Sequence, residues 1–318
     1  MKCIMCDSKD SLNFCFSTTD RNFHLSNKIY NVFRCKICKT IMIYPLLKEE
    51  ELFNLYPQMY NVKIIDERGK IKKFIKDLEY EYCYKKIYIR SYKIISKILN
   101  KSQFEIFDVG CGNAHRLKVF KEFGCSVYGN EIAKEDVEYA KYFLGIDIFH
   151  GTLKKTVENI DRKFDVVSLF SVIEHLNNPE EEINFTKKLL KNDGLLVIQT
   201  PVVNSIQWLL LGKECYAAKE MPRHLFIPSI YGLGVFMNRL GFKIIKYFPA
   251  HFVQSSSLFS LGIFSSSNSC NVYRKSDIFS IIKRFLGWTF TIFPGSIVGV
   301  LEQIRNSAVE NIFLFKKK

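Results

Sequence analysis

Between a strand-like run and a helix-like run, the chain reads Phe107-Asp108-Val109-Gly110-Cys111-Gly112-Asn113. The apolar residues from Ile106 to Val109 predict a short buried strand, and the pattern from Ala114 to Phe123 predicts a helix. The two glycines permit a positive φ and a close approach of the backbone to a ligand. The first N–H groups of the following helix have no partners within that helix. The sequence therefore predicts a strand–turn–helix unit that holds a nucleotide-like ligand at its turn.

From Gln103 onward, strand-like and helix-like patterns alternate, which predicts a parallel sheet with crossover helices. A second strand, from Ser126 to Gly129, leads to Glu131. An acidic residue about 20 positions after a glycine turn is suited to hydrogen bonding with ribose hydroxyls. The NAD-binding pattern Gly-x-Gly-x-x-Gly is not met, because His115 stands at its last position. What the chain has instead is an aspartate before the first glycine.

These motifs resemble those of the class I S-adenosylmethionine (SAM)-dependent methyltransferases. The run from Asp108 to Ala114 is similar to their motif D-x-G-C-G-x-G, with alanine at the third glycine. The run from Ser171 to Leu176 is similar to their segment x-x-V-[IL]-E-H-[LV]. The run from Leu189 to Ile198 is similar to L-L-K-P-G-G-x-L-x-I. The resemblance covers Phe104 to Pro201 and extends more loosely to Phe248.

The resemblance implies an α/β fold with a Rossmann-like sheet in the strand order 3-2-1-4-5-7-6, and SAM as the cofactor. The residues that it places at the cofactor are Asp108, Gly110, Gly112, Glu131, Thr152 and Leu153. The first three are expected to hold the methionine part of SAM and the fourth its ribose. The last two follow the third strand, where the family contacts adenine.

Two histidines are the candidate catalytic residues. His175 follows the fourth predicted strand, Phe164 to Phe170, on the side of a parallel sheet where ligands bind. His224 precedes a helix expected to start at Ser229, and we expect it to reach the same crevice from the opposite side. Methyl transfer to an OH, NH or CH group releases one proton, which a histidine can accept. The alternative for each histidine is a structural role, at a helix start or in a loop.

Two Cys-x-x-Cys pairs lie in the N-terminal region, Cys3 with Cys6 and Cys35 with Cys38, and 28 residues separate them. Four thiolates suit a closed tetrahedral Zn²⁺ site, which is structural rather than catalytic. The strand-like run from Ile41 to Ile43 follows the second pair, as in zinc ribbons. We therefore predict a structural zinc ion. The alternative is four reduced free cysteines.

No apolar signal-peptide region follows Met1, and ten cysteines without such a signal indicate a reducing compartment. We therefore expect a cytoplasmic protein. The formal net charge is +14, and the run from Val62 to Lys101 contains twelve Lys or Arg against five Asp or Glu. A basic patch attracts nucleic acid, anionic lipid or phosphorylated metabolites. The alternative is the solvated face of an ordinary surface helix.

The patterns divide the chain into four parts. These are a Cys₄ zinc module (1–48), a Tyr-rich linker with a basic helix (49–102), a SAM-binding methyltransferase domain (103–248) and an apolar, mostly helical C-terminal extension with a final strand (249–318). Tyr56 and Tyr60 in the linker either join the module to the main domain or cover the substrate. The first three parts together resemble bacterial methyltransferases of sugar, polysaccharide or secondary-metabolite pathways.

The C-terminal extension contains an uncharged run of 17 residues, Phe285 to Leu301. A membrane-spanning helix needs ~20 apolar residues, and Pro294 interrupts this run. Three interpretations stay open for it. They are a peripheral contact with a membrane surface, a cover over the substrate, and a contact with another subunit.

We expect a SAM-dependent methyltransferase that acts on a small molecule, such as a sugar, a nucleotide-sugar or a lipid-linked intermediate. Positive charge would favour a phosphorylated acceptor. The alternative is an RNA methyltransferase, because some rRNA guanine methyltransferases also join a zinc module to this domain. A third option is a binding protein without catalysis, which the intact glycine turn and Glu131 disfavour. The oligomeric state stays open.

Overall fold

The protein is described by a computed structural model that covers residues 1–56, 85–250 and 294–318. Its described part contains two β-sheets. One has four strands and includes the N-terminal cysteines, and the other has seven strands and carries the glycine turn. The small sheet and one face of the large sheet share a continuous apolar core, which includes Cys38, Met42, Phe226, Ile198 and Phe313. The N-terminal cysteine region is therefore packed onto the main sheet.

The small sheet is antiparallel and has the order β1-β2-β3-β9. Its strands are β1 (Leu12–Thr18), β2 (Tyr30–Cys35), β3 (Ile41–Ile43) and β9 (Phe226–Ile227). The strand predicted after the second cysteine pair is thus confirmed. Strand β9 comes from a distant part of the chain, directly after His224. The cysteine region and the segment of the candidate catalytic histidine therefore belong to one sheet.

The large sheet has the order β10-β11-β8-β7-β4-β5-β6. Numbered within this sheet along the chain, that order is 3-2-1-4-5-7-6 read from the opposite edge, as the sequence predicts. Strand β11 runs antiparallel to both of its neighbours, and the other pairs are parallel. The strands are β4 (Glu105–Val109), β5 (Ser126–Glu131), β6 (Phe149–His150), β7 (Phe164–Phe170), β8 (Leu190–Pro201), β10 (Phe242–Pro249) and β11 (Glu310–Lys317).

Helices connect these strands. They are α1 (Glu49–Phe53), α2 (Lys85–Leu99), α3 (His115–Glu122), α4 (Lys134–Leu144), α5 (Leu153–Asn159), α6 (Pro179–Leu189), α7 (Ile206–Leu211), α8 (Tyr216–Lys219), α9 (Ile230–Arg239) and α10, which includes residues 294–304. In α2 the buried residues Ile87, Tyr88, Ser91 and Ile95 form one face, whereas Lys93 and Lys97 are exposed. The described part of the basic segment is thus an amphipathic surface helix.

The final strand lies inside the large sheet. Strand β11 pairs with β8 on one side and β10 on the other, and its residues from Ile312 to Phe315 are fully buried. A strand in the middle of a covered sheet is apolar on both faces, which explains this sequence. The predicted boundary at 248 lies between β11 and the two strands to which it is hydrogen-bonded.

In the part of the chain that the structure describes, no helix is both long and apolar enough to cross a bilayer. Of the run 285–301, for which a membrane contact is one of three interpretations, residues 285–293 lie outside the described residues. Residues 294–301 belong to α10.

Candidate active site

The glycine turn has the backbone that its sequence predicts. Gly110 and Gly112 have positive φ angles of 58° and 53°. A Cβ atom added at Gly110 would lie 3.1 Å from Val172 Cγ2, so the turn packs against the segment that leads to His175. A Cβ atom added at Gly112 would meet no atom within 4 Å, so the space there is open. Ala114 also has a positive φ, of 60°, at the position of the third glycine in D-x-G-C-G-x-G.

Gly129 in β5 lies directly beneath this turn. A Cβ atom at this position would come within 2.8 Å of the Asp108 carbonyl oxygen and 2.9 Å of Cys111 Sγ. The backbone N–H of Cys111 donates to the Asn130 carbonyl at 3.0 Å. The turn therefore packs directly against the neighbouring strand β5. Gly129 is missing from the predicted site, although a glycine inside a strand is a signal of close backbone approach.

Glu131 joins the end of β5 to the glycine turn. Its carboxylate accepts hydrogen bonds from the N–H of Gly112 at 2.8 Å, of Ile132 at 2.8 Å and of Ala133 at 3.0 Å. The side chain is buried. Glu131, which is predicted to bind the ribose, is thus hydrogen-bonded to the turn that is predicted to bind the methionine part of SAM. Both border the open space at Gly112.

Asp108 lies at the end of β4 and is completely buried. One carboxylate oxygen accepts a hydrogen bond from Ser168 Oγ at 2.8 Å, and the other is 3.5 Å from Arg116 Nε. Burial raises the pKa of Asp108 to about 6, and the positive charge of Arg116 opposes that rise. Arg116 also donates to the Phe170 carbonyl at 3.0 Å. Arg116 is a further residue that the sequence interpretation missed, because its position in a helix resembles that of a solvated basic residue.

The predicted adenine-binding pair follows β6. The Gly151 N–H donates to the Glu131 carbonyl at 2.8 Å, and Asn130 Nδ2 donates to the Gly151 carbonyl at 2.9 Å. Thr152 is exposed and caps α5, whereas Leu153 is 2% exposed and lies in the core. The structure therefore leaves the side chain of Thr152 accessible near Glu131, and it buries that of Leu153.

His175 ends the short 3₁₀ helix Ile173–His175, directly after β7. Its Nδ1 atom is 3.1 Å from the Arg223 carbonyl oxygen and 2.9 Å from the Tyr56 hydroxyl. Burial lowers the pKa of His175 to about 4, so the ring is neutral at neutral pH. A carbonyl only accepts, whereas a phenol can accept or donate, so a proton on Nδ1 satisfies both neighbours. The Nε2 atom then carries the lone pair.

His224 lies beside His175, with 4.8 Å between the ring centroids. Its Nδ1 atom is 2.9 Å from the Ala217 carbonyl oxygen, so this ring also carries its proton on Nδ1 and its lone pair on Nε2. Burial, and next the neighbouring His175, lower the pKa of His224 well below its usual value. The structure thus brings the two predicted histidines together as neutral imidazoles.

Glu174 is the third polar group of this cluster. One carboxyl oxygen accepts a hydrogen bond from Thr200 Oγ1 at 3.0 Å, and the other is buried without a hydrogen-bond partner among the described residues. Burial raises the pKa of Glu174 to about 8, so the carboxyl group is mainly protonated at neutral pH. Ligand-type atoms of Glu174, His175 and His224 lie within 4.8 Å of one another.

The four cysteines of the two pairs converge. Their Sγ atoms all lie within 4.8 Å of one another, with 3.5 Å between Cys3 and Cys38 and 3.6 Å between Cys6 and Cys35. Tetrahedral zinc with bonds of about 2.3 Å requires sulfur–sulfur distances of about 3.8 Å. The cluster therefore has a donor set and a size that fit zinc.

Both cysteine pairs use the same backbone turn. The N–H of Asp7 donates to the Cys3 carbonyl at 3.0 Å, and the N–H of Lys39 donates to the Cys35 carbonyl at 3.0 Å. Asp7 and Lys39 both have a φ of 65°. The repeated turn directs two sulfurs from each pair toward one point.

Of the linker tyrosines, Tyr60 lies outside the described residues.

The sequence was also compared with known proteins. A family model described as a methyltransferase domain matches residues 75–247, which is more than half of the 318 residues. The chain belongs to this family.

Several curated proteins are similar to this methyltransferase domain. Ubiquinone biosynthesis O-methyltransferase of Pelagibacter ubique is 27% identical over 139 residues, which are 42% of this chain and 58% of that protein. The tRNA U34 carboxymethyltransferase of Hydrogenovibrio crunogenus is 30% identical over 152 residues, which are 45% of each. The chain therefore spans about half the length of the curated relatives it matches.

Solved structures are also similar in fold. A SAM-dependent methyltransferase of Archaeoglobus fulgidus has a TM-score of 0.49 and 17% identity, and the match covers 77% of this chain and 99% of that chain. The cyclopropane synthase MmaA2 of Mycobacterium tuberculosis has a TM-score of 0.46 and 13% identity, with coverages of 71% and 83%. The strand order described above is that of a class I SAM methyltransferase fold.

Proposed function

We propose that this methyltransferase domain transfers a methyl group from SAM to a small-molecule acceptor, and that His175 or His224 receives the proton that the acceptor loses. The observation that carries the proposal is the pair of neutral imidazoles at the carboxyl ends of the parallel strands. Each ring donates Nδ1–H to a backbone carbonyl and so keeps a lone pair on Nε2. Val172, three residues before His175, lies against the glycine turn, and this supports a location of the pair near the proposed SAM site.

The residues of the turn fit SAM. The open space at Gly112 admits a ligand to the backbone, and the Glu131 carboxylate borders that space with the acceptor oxygens that ribose hydroxyls need. When bound, SAM supplies an electrophilic methyl group on a sulfonium. The chain holds the acceptor in line with that methyl group, which gives the catalytic benefit of orientation.

The low pKa of His175 keeps its imidazole neutral, so Nε2 is able to accept a proton at neutral pH. Attack by a neutral hydroxyl or amine on the methyl group gives an oxonium or ammonium that is far more acidic than the free acceptor. A weak base is then sufficient, and an imidazole that is neutral over a wide pH range is available at Nε2. Glu174, protonated at neutral pH, adds no negative charge beside the histidines.

We propose a sugar, nucleotide-sugar or lipid-linked intermediate as the acceptor class. The support is the combination of a cysteine module with this domain and the net charge of +14, which favours a phosphorylated molecule. RNA is the second candidate, because a relative 30% identical is named as a tRNA carboxymethyltransferase. The described basic helix α2 has the burial pattern of an ordinary surface helix.

Calorimetry with SAM tests the cofactor site. Glu131→Gln removes the carboxylate charge at the turn, and we expect its Kd for SAM to rise at least about tenfold, the loss that follows from one charge-assisted hydrogen bond. The matched control is Glu135→Gln on the exposed surface of α4, which should bind like the wild type. A wild type without measurable SAM affinity would contradict the proposed function.

Methyl-labelled SAM identifies the acceptor class. The protein is incubated with a small-metabolite extract and, separately, with total RNA. We expect label in small molecules, and we expect His175→Gln to lower the rate about 10²- to 10⁴-fold. Label in RNA alone would replace the small-molecule proposal with the RNA one. An unchanged rate in both His175→Gln and His224→Gln would remove the histidines from the mechanism.

We also propose that Cys3, Cys6, Cys35 and Cys38 hold a structural zinc ion, on the strength of their donor set and spacing. Metal analysis of protein purified without chelator should give about one equivalent. Less than half an equivalent would contradict the site, and two equivalents would point to a second metal at Glu174, His175 and His224.

The peripheral membrane contact expected of residues 285–301 stays a proposal. It rests on the apolar sequence of that run. Flotation of the protein with vesicles that contain anionic lipid checks it, and recovery of all protein in the lipid-free fraction would contradict it.

A further inference from the structure

A buried ion cluster lies next to the histidine pair. Arg223 is completely buried, and its Nη1 atom is 2.7 Å from Asp20 Oδ1, which is also buried. Its Nε and Nη2 atoms are 3.3 Å from Glu220 Oε2. The guanidinium lies over the ring of Phe23, 4.3 Å from its centroid. A buried charge is tolerated only with such partners, so removing one of them is costly.

The cluster joins two distant parts of the chain. Asp20 and Phe23 follow β1 of the N-terminal sheet, whereas Glu220 and Arg223 lie between α8 and β9. Asn22 Nδ2 adds a hydrogen bond to Glu220 Oε1. Burial opposes the ionisation of Asp20, but the charge and hydrogen bond of Arg223, together with the N–H groups of Leu25 and Phe23, hold the pKa of Asp20 below its usual value. The N-terminal module thus supplies one of the two carboxylates that hold Arg223, at the shorter distance of 2.7 Å.

Arg223 is connected to both hydrogen-bond partners of His175 Nδ1, to one through its own backbone and to the other through Leu55. The first partner is the carbonyl of Arg223 itself, at 3.1 Å. The second is the hydroxyl of Tyr56, at 2.9 Å, and Arg223 Nη1 reaches the carbonyl of the preceding Leu55 at 3.5 Å. The position of one guanidinium therefore determines which atoms face Nδ1.

We propose that Asp20 is a positioning residue, which acts through Arg223 to hold His175 in the tautomer with its proton on Nδ1. The N-terminal cysteine module then helps to position a residue of the acceptor site. This inference rests on the proposed function for the use that is made of Nε2. The tautomer itself can be measured without an acceptor.

Asp20→Asn is the informative substitution. Asp20 accepts from the Phe23 N–H at Oδ1 (3.2 Å) and from the Leu25 N–H at Oδ2 (2.9 Å), so the single oxygen of asparagine keeps one of these two hydrogen bonds. The substitution removes the charge that pairs with Arg223. Glu220 is then the remaining carboxylate partner of the buried guanidinium, which shifts toward it and displaces the Arg223 carbonyl and the Tyr56 hydroxyl at Nδ1.

The matched control is Asp165→Asn. Asp165 is also buried and pairs with Lys101 at 2.9 Å and Lys191 at 3.2 Å, but it lies at the first end of β7, away from His175. Both variants remove one carboxylate from an ion cluster. The lysines left by Asp165→Asn are about half exposed (52% and 41%) whereas Arg223 is buried, so this control tests whether loss of a carboxylate elsewhere in the protein changes the His175 tautomer.

The measurement is the ¹⁵N shift of both ring nitrogens of His175, in full-length ¹⁵N-labelled protein, assigned by the signals that His175→Gln loses. We expect a single Nδ1–H tautomer in the wild type and in Asp165→Asn, and a mixture of tautomers in Asp20→Asn. A mixture in the wild type, or an unchanged tautomer in folded Asp20→Asn, would overturn the proposal.

Calorimetry with SAM separates this result from the proposed function. The SAM Kd of Asp20→Asn should stay within about twofold of the wild type, because the glycine turn shares no partner with Asp20. If Asp20→Asn does not fold, Arg223→Lys gives the same comparison, since lysine keeps the charge but does not form the same forked contacts. If the wild type does not bind SAM, the proposed function is wrong, but the tautomer measurement still tests the role of Asp20.

Discussion

Gly129 lies beneath the glycine turn, where no side chain fits. We predict that Gly129→Ala lowers the free energy of unfolding by about 1–3 kcal/mol, because the added Cβ overlaps the backbone of Asp108 and the sulfur of Cys111. The turn must shift to relieve this overlap, so SAM binding should weaken as well. Urea unfolding and SAM calorimetry measure the two effects.

The control is Gly234→Ala in α9, where the nearest atom to the new Cβ is the end of the Ile244 side chain at 3.3 Å. Alanine is favoured over glycine in a helix, so this variant should keep its stability and its SAM affinity. Equal SAM affinity in Gly129→Ala and the wild type would show that the turn does not depend on Gly129.

Glu174 makes stability depend on pH. Its folded pKa of about 8 lies above its ordinary value, so between about pH 4.5 and 8 the folded state binds a proton that the unfolded state has lost. Its contribution to stability is therefore present at low pH and is lost as the pH rises through this window, by up to about 1.4 kcal/mol per pH unit. We predict that Glu174→Gln removes this loss.

Urea unfolding of wild type and Glu174→Gln at pH 5, 6.5 and 8 checks the sign. The stability of the variant relative to the wild type should increase with pH. Glu135→Gln, on the exposed surface, should differ from the wild type by the same amount at each pH. A difference between Glu174→Gln and the wild type that does not change with pH would contradict the burial of a protonated carboxyl group.

At the scale of elements, the N-terminus of helix α9 is hydrogen-bonded to the cysteine module. Ser229 caps it by accepting from the Gly232 N–H at 2.8 Å, and the same hydroxyl donates to the Cys38 carbonyl. Ser205 caps α7 by accepting from the Trp208 N–H at 3.0 Å. The two serines are equally buried. They differ in the contact with Cys38.

We predict that Ser205→Ala lowers the free energy of unfolding by about 1 kcal/mol, the usual value of a cap. Ser229→Ala should cost about 2 kcal/mol, because it also leaves the Cys38 carbonyl without this donor. Denaturant unfolding of both variants measures the difference. Equal losses would mean that the hydroxyl of Ser229 does not stabilise the cysteine module.

The elements near the glycine turn were predictable because their signals are local. The strand before the turn, the helix after it and the strand that ends at Glu131 all agree with the predicted bounds to within a residue or two. The residues alone did not give the place of β11, since the order of strands depends on pairing between distant segments, and only the family resemblance implied a seventh strand between the fifth and the sixth. Its apolar residues show that it is buried, but not between which strands.

The candidate site also has residues that local motifs predict and residues that they do not. The glycine turn and the cysteine pairs follow from spacing within short motifs. Asp20 and Arg223 are 203 residues apart, and each has the type of side chain that is usually solvated. Nothing local distinguishes them from surface charges. The contact between them exists only because β9 joins the N-terminal sheet.

At the scale of the whole molecule, the cysteine module shares its sheet and its core with the main domain. We predict that removal of zinc with a strong chelator lowers the melting temperature of the whole chain in a single transition, because the module has no separate core to unfold. Calorimetry of metal-loaded and metal-free protein measures this.

The control is Cys15→Ser, which changes an exposed cysteine outside the cluster and should keep both the metal and the melting temperature. Two separate transitions in the metal-free protein would show that the module unfolds by itself. They would also weaken the inference that Asp20 supports the active site.

The position of β11 has a consequence for synthesis. Residues 310–317 leave the ribosome after every other strand of the large sheet, yet they fill a place between β8 and β10. Until they emerge, β8 presents an unpaired edge that includes the apolar residues from Leu195 to Ile198. Such an edge is a template for pairing with other chains. A chain truncated before residue 310 therefore presents this edge and is prone to aggregation.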